Sequence, residues 1–282
     1  MNPLSSLIRP VARLLRGIVP ALFFLLFSGC DLLEFSPNET RSPAKYRDLT
    51  RKNLEALAAK PNPSGGDTLR FVFIGDSQRF YDEAEEFVKS INRRRDVAFV
   101  VIAGDISDFG MGREMRWVDE RLRKMNIPYL TVIGNHDYVA NGRGAYETIY
   151  GPLNYTFTYA DTRFVLVDTN GREVGFNGSV PDMSWVNRTL ATSGGARRQI
   201  VMSHVPPTDG DFDPQLVGPY VQALENAPGL VFQLNGHQHD FSVRQPYENG
   251  ITFVNSYSFE KREYVVFTLW GDKEFKLETV SY

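Results

Sequence analysis

The chain has 282 residues, with 31 Lys plus Arg against 34 Asp plus Glu and 42% apolar residues. Its formal charge of −3 becomes −6 once the three arginines of residues 1–29 are set aside, which gives no indication of a basic nucleic-acid surface. About 250 residues remain beyond that segment, enough for one large domain with a sizeable core, and a single cysteine excludes an intramolecular disulfide.

Residues 1–29 carry Arg9, Arg13 and Arg16 and no acid, then an apolar run over 18–27, then Ser28 and Gly29 before Cys30. That is the order of a secretory signal. The run is about ten residues long and contains Pro20, whereas a helix needs roughly twenty apolar residues to cross a bilayer, so no spanning helix is expected. Cys30 after Ser-Gly resembles a bacterial lipobox, with Phe27 where an aliphatic residue is usual. The resemblance implies an acylated Cys30 as mature N-terminus and a membrane-anchored lipoprotein on the extracytoplasmic, periplasmic side. An ordinary cleaved signal and a secreted protein are the alternative. Two or more acyl chains suffice for stable anchoring. Residues 30–66, punctuated by Pro37, Pro43, Pro61, Pro63, Gly65 and Gly66, read as a tether with one peripheral helix over 45–60.

From residue 67 to 282 strands and helices alternate. Strands are expected over 69–74, 98–103 and 129–133, with amphipathic helices over 81–94 and 111–124 between them. Such a βαβαβ unit has parallel strands, right-handed crossovers and ligands at the carboxyl ends of the strands. Further strands are expected over 155–159, 163–168, 198–203 and 230–234, with helices over 182–191 and 215–226. Four more strands follow over 241–245, 251–255, 264–269 and 274–280. The segments 139–154, 170–180 and 206–214 read as loops. The fold class is α/β, as two packed sheets with helices outside.

All four histidines lie in three short segments after strand-like runs: His136 in GNHD, His204 in SH, and His237 and His239 in GHQH. Asp76 and Asp105 follow strands in the same way. In an extended segment residues i and i+2 point the same way, so Asp76 with Gln78, and His237 with His239, can converge, whereas Asn135 and His136 point apart. Each residue has a plainer reading: Asp76, Asp105 and Asp108 as helix caps, His204 as a polar loop residue, Arg79, Arg113 and Arg143 as solvated charges, Tyr138 and Phe241 as core aromatics.

The blocks GDSQ (75–78), GDISD (104–108), GNHD (134–137), SH (203–204) and GHQH (236–239) together resemble the calcineurin-like metallophosphoesterase superfamily. The resemblance covers about residues 69–270 and implies a four-layer αββα sandwich. It implies one divalent ion on Asp76, Gln78, Asp105 and His239, and a second on Asp105, Asn135, His204 and His237, with Asp105 bridging. Two ions roughly 3.5 to 4 Å apart activate water and neutralise phosphoryl charge. His136 is left to protonate the leaving oxygen or stabilise the transition state, with Asp108 orienting its ring. Gln78 stands where most members have histidine; an oxygen donor there favours Mn²⁺ or Fe, with Zn²⁺ as the alternative.

The expected function is therefore hydrolysis of a phosphomonoester or phosphodiester. Relatives resembling ADP-ribose or CDP-alcohol diphosphatases also carry glutamine at this position, so cleavage of a nucleotide-linked or lipid-linked diphosphate is a second reading. A lipoprotein that has kept the fold for binding only is a third.

Overall fold

Strand β1 (Leu69–Ile74) turns Leu69, Phe71 and Phe73 to one side and Val72 and Ile74 to the other, and both sides are buried. A strand apolar on both faces must lie between two layers. The computed structural model, which describes residues 39–282, places it near the centre of a five-stranded sheet. Cys30 and the apolar run before it lie outside the described residues. No helix among the described residues is long and apolar enough to cross a membrane.

The chain proceeds through α1 (Leu49–Ala58), β1, α2 (Tyr81–Arg93), β2 (Val100–Ile102), α3 (Gly112–Leu122), β3 (Tyr129–Thr131), α4 (Gly142–Ile149), β4 (Tyr155–Tyr159) and β5 (Thr162–Val167). It continues with α5 (Met183–Leu190), β6 (Arg198–Ser203), α6 (Val217–Glu225), β7 (Leu230–Asn235), β8 (Ser242–Arg244), β9 (Thr252–Asn255), β10 (Glu263–Trp270) and β11 (Glu274–Ser281). The first sheet has the order β11-β10-β1-β2-β3, with β1, β2 and β3 parallel and β10 antiparallel to β1. The second has the order β4-β5-β6-β7-β9-β8, with β5, β6, β7 and β9 parallel and antiparallel strands at both edges.

Phe71, Phe99, Phe267, Phe164, Ile200, Met202 and Phe232 pack the space between the sheets. On the outer face of the first sheet lie Phe87 and Ile91 of α2, Met115 and Val118 of α3, and Tyr146 and Ile149 of α4. The outer face of the second is covered by Val186 and Leu190 of α5 and Tyr220 and Leu224 of α6. The layers are thus helix, sheet, sheet, helix, the α/β sandwich expected.

Two segments differ in detail from the sequence reading. The expected loop 139–154 contains α4, whose Ala145, Tyr146 and Ile149 are buried; Gly142 and Gly144 at its start gave that segment the look of a loop. In the expected tether, α1 begins at Leu49 and is docked on the domain: Leu49 and Leu57 are buried and the Thr50 amide donates to Tyr150 O at 2.9 Å.

Phe71 is fully buried, with ring centroids 5.0 Å from Phe267, 5.5 Å from Phe99 and 5.4 Å from Phe164. Phe71→Ala removes the contact on which the two sheets close, and is expected to lower unfolding free energy by about 3–5 kcal/mol in urea denaturation.

Candidate metal centre

β1, β2, β3, β6 and β7 deliver the five sequence blocks to one end of the sandwich, and hydrogen bonds join the two sheets there. The Gly75 amide donates to Tyr257 O (2.6 Å) and the Ser256 hydroxyl to Phe73 O (2.9 Å). His204 leaves β6 and reaches across to the first sheet, where its Nδ1 lies 2.6 Å from Ala103 O. A carbonyl can only accept, so Nδ1 carries the proton and Nε2 faces the centre.

Asp76 and Asp105 are 0% and 2% exposed. Neither carboxylate oxygen of Asp76 has a hydrogen-bond partner, and His239 Nε2 and His204 Nε2 stand 3.3 and 4.0 Å from its Oδ1. Asp105 divides its two oxygens: Oδ1 accepts from the His136 amide (2.9 Å) and lies 3.3 Å from His204 Nε2, whereas Oδ2 accepts from the Gln78 side-chain amide (3.2 Å). Asn135 Oδ1 is 3.0 Å from His204 Nε2 and 3.1 Å from His237 Nδ1. All seven residues expected as ligands are therefore brought together. Buried carboxylate oxygens lacking donors are costly unless a cation compensates them. With imidazole nitrogens and an amide oxygen converging beside them, the donor set fits divalent metal ions.

The backbone is shaped for this convergence. Asp76, Asp105, His237 and His239 have φ of 24°, 49°, 70° and 60°, conformations that L-residues adopt at a cost of about 1–3 kcal/mol and that gather at functional sites. A side chain on Gly134 would collide with the Asp105 amide and Oδ1, and one on Gly104 would come within 2.5 Å of His204 Nδ1. Asp137, fully buried, accepts from the amides of Ile106, Ser107 and Gly134 and from the Ser107 hydroxyl, and so locks the loop that carries Asp105 against the loop that carries Asn135. Burial, with the charge of Asp105, pushes the Asp137 carboxyl up to about 6.

The charges of the centre are coupled. Burial acts to raise the Asp105 carboxyl, but the facing His204 and His136 outweigh it and hold it at about 2. Burial acts to lower His204, and the charges of Asp105 and Asp76 raise it instead to about 10. Burial and the adjoining charge of His204 lower His237, while the contact with Asp76 raises His239.

His136 Nδ1 lies 3.0 Å from the backbone carbonyl of Asp108, so that nitrogen carries the proton. The Asp108 carboxylate stands 3.9 Å from the ring and is drawn instead to Arg79 at 3.2 Å. The contact of Asp108 with the His136 ring is thus made by its main-chain carbonyl. Asp108 does not cap α3: Glu114 Oε2 accepts from the amides of Phe109 and Met111. Tyr138 donates to the buried Asp168, and Arg143 lies over the Tyr138 ring and beside Glu147. Phe241 stacks on Tyr257 at 5.5 Å. Two functional candidates escaped the sequence reading: Asp209 and Asp211, in the loop after His204, lie 3.5 and 3.7 Å from His237 Nε2. Their spacing of two acids around Gly210 was the only signal.

The family profile of calcineurin-like phosphoesterases matches residues 69–241, more than half of the chain. The chain belongs to that family. It is accordingly a metal-dependent phosphoester hydrolase. Among solved structures, this phosphoesterase is similar to a dimetal phosphatase from Danio rerio (17% identity over 76% of this chain and 99% of that one, TM-score 0.60). It is also similar to purple acid phosphatase PPD1 from seeds of yellow lupin, Lupinus luteus (14%, 79% and 53%, TM-score 0.58). A third is GAP50, the anchor in the inner membrane complex of Plasmodium (16%, 77% and 85%, TM-score 0.54). At these identities the likeness is one of fold. No curated protein matches the sequence.

With its pKa raised to about 10, His204 is protonated at neutral pH in the metal-free phosphoesterase, and a metal can bind Nε2 only after that proton leaves. Metal uptake should therefore release a proton, and apparent affinity should rise about tenfold per pH unit between neutrality and the His204 pKa. Calorimetry in buffers of differing ionisation enthalpy checks this; uptake without proton release would contradict it.

Proposed function

We propose that this end of the sandwich is a dinuclear centre that hydrolyses a phosphomonoester or phosphodiester. The observation that carries the reading is the division of the Asp105 carboxylate, one oxygen toward His204 and the other toward Gln78. On one side Asp76, Gln78, Asp105 and His239 would hold one ion; on the other Asp105, Asn135, His204 and His237 would hold the second. Two divalent ions supply a nucleophilic water at neutral pH and neutralise charge on the phosphoryl group.

The protein's own part is positional. Because Asp108 O holds a proton on His136 Nδ1, Nε2 is the nitrogen left facing the substrate, and in the imidazolium form it would deliver its own proton to the leaving oxygen and be left as the neutral Nδ1–H ring, a contribution of ~10²- to 10⁴-fold. The ring is partly exposed while its neighbour Asn135 turns inward, so it meets a substrate that sits on the open side of the centre. The Gln78 amide, which donates to Asp105 without metal, would rotate to present its oxygen, and the added oxygen donor favours Mn²⁺ or Fe over Zn²⁺.

The order of charge, apolar run and Ser-Gly-Cys at the N-terminus supports acylation of Cys30 and work on the extracytoplasmic face of a bacterial membrane. The substrate is then a small or lipid-linked phosphate ester met on that side.

The test is hydrolysis of p-nitrophenyl phosphate, bis-p-nitrophenyl phosphate and a nucleotide diphosphate diester by the purified protein supplied with Mn²⁺, Fe²⁺ or Zn²⁺. Metal-dependent turnover of an ester is expected, reduced by ~10²-fold or more in His136→Ala and abolished together with metal binding in Asp105→Ala. Two bound ions with cleavage of the diphosphate alone would replace the ester reading. Absence of both turnover and bound metal would favour a fold kept for binding.

A further inference from the structure

We propose that the rim around His136 rests on a membrane surface and that the centre takes a phosphate ester whose leaving group is a lipid, an inference that deepens the phosphoesterase reading above and rests on it. Phe109 and Val139 are 58% and 41% exposed, two of the five large apolar side chains exposed among the described residues. Both flank that histidine. Phe109 follows Asp108, whose carbonyl holds His136 Nδ1, and Val139 closes the turn His136–Tyr138. Their loops abut, since a side chain on Gly110 would come within 2.1 Å of Val139 O. Single exposed apolar side chains are ordinary, whereas neighbours at the mouth of a site mark a contact surface.

The point at which the chain enters the domain selects the partner. Glu39 and Thr40 run past the first turns of α3 and α4: Glu39 O lies 3.3 Å from where a side chain on Gly112 would begin, and Thr40 Cγ2 3.3 Å from where one on Gly144 would. Those turns come soon after the loops of Asp105 and His136, so Glu39 stands at the same end of the sandwich as the centre. Nine peptide steps separate it from Cys30, a reach of at most about 30 Å. An acylated Cys30 therefore keeps this rim within that distance of the bilayer. Arg41, Arg79 and Arg143 on the rim each lie beside a carboxylate, at 3.2, 3.2 and 3.6 Å, so they add little net charge and the apolar pair supplies the attachment.

The chemistry agrees with that orientation. A phospholipid carries its phosphate among the headgroups, with the acyl chains beyond the ester oxygen. As the oxygen of water joins phosphorus, the ester P–O bond breaks and the leaving oxygen takes the proton from His136. The body of the leaving group thus lies past His136, where Phe109 and Val139 stand. A diacylglycerol finds apolar side chains there; glycerol alone gains nothing from them.

The experiment uses the full chain, expressed with its N-terminus intact and reconstituted into dioleoylphosphatidylcholine vesicles. A nitroxide is attached at Phe109→Cys, at Val139→Cys or at Trp270→Cys, the last an exposed residue at the far end, beside the start of β1. Collision with oxygen and with a water-soluble nickel chelate should place the labels at 109 and 139 below the headgroups and the label at 270 in water. Turnover with Mn²⁺ is compared within two pairs that differ only in acyl chains: dioleoylphosphatidic acid against glycerol 3-phosphate, and dioleoylphosphatidylglycerol against glycerophosphoglycerol. In the pair that is cleaved, kcat/KM should favour the lipid by ~10-fold or more. Phe109→Ser/Val139→Ser should lose roughly 10- to 30-fold on that lipid, and Phe109→Leu/Val139→Leu, which keeps the apolar surface, should retain wild-type turnover. Labels at 109 and 139 as accessible to water as the label at 270 overturn the proposal. So does a chain that stays in solution with a free Cys30 thiol. Cleavage of p-nitrophenyl phosphate with neither lipid preferred overturns it while the phosphoesterase reading stands. Absence of all turnover removes that reading instead, and the depth of the labels then still decides whether the rim meets a membrane.

Discussion

Two carboxylates, Asp76 and Asp105, are buried side by side at the end of the sandwich, and the remainder of the site is arranged around the need to neutralise them. Neither oxygen of Asp76 is hydrogen-bonded, and Asp105 has only the His136 amide, the Gln78 amide and the His204 ring. Without metal, the proton that His204 retains supplies one compensating charge. The same Coulomb attraction that raises His204 attracts a divalent cation more strongly, because the cation brings twice the charge and can be shared by several donors. The centre is thus a place where the chain exchanges protons for metal.

Holding such a cluster requires a rigid frame, and the fold supplies it where parallel strands stop. The residues proposed as ligands come from the ends of β1, β2, β3, β6 and β7, which belong to two different sheets. The phenylalanine-rich layer between the sheets sets their spacing, and His204 with its bond to Ala103 O joins them at the site itself. Asp137 serves the same end from below. Its carboxylate gathers donors from both flanking loops, so a displacement of the Asp105 loop would leave amides and a buried acid without partners.

Most of this was legible in the sequence because the buried strands are short, continuous apolar runs, each followed directly by Gly and a polar residue. Such short runs, bounded by Gly, read as interior strands, and the ends of parallel strands are where ligands collect. The convergence of Asp76 with Gln78, and of His237 with His239, followed from that rule and from i, i+2 spacing, whereas the full set of seven candidate ligands came from the resemblance to the calcineurin-like family. What stayed hidden depends on contacts between distant segments. Helix α4 carries two glycines that mask Ala145, Tyr146 and Ile149 as packing positions. The choice of the Asp108 carbonyl over its carboxylate at His136 depends on Arg79, 29 residues earlier, whose approach no local pattern encodes. Asp209 and Asp211 read as loop composition until the loop folds back on His237.

The left-handed backbone at Asp76, Asp105, His237 and His239 divides the proposed ligand set into two kinds of position. Where φ is positive, the residue must tolerate that conformation as well as bind, which among good ligands favours Asp, Asn and His and penalises anything β-branched or bulky. Gln78 is free of this restriction, as is Asn135 with its φ of −71°. A redesign of metal preference therefore has few places to start: exchange of the amide at 78 or 135 alters donor hardness with the loops left in place, whereas exchange at the four positive-φ residues alters the loops themselves and exchange of His204 breaks its bond to Ala103 O. The selectivity of this centre is tunable along one narrow axis, and Gln78 lies on it.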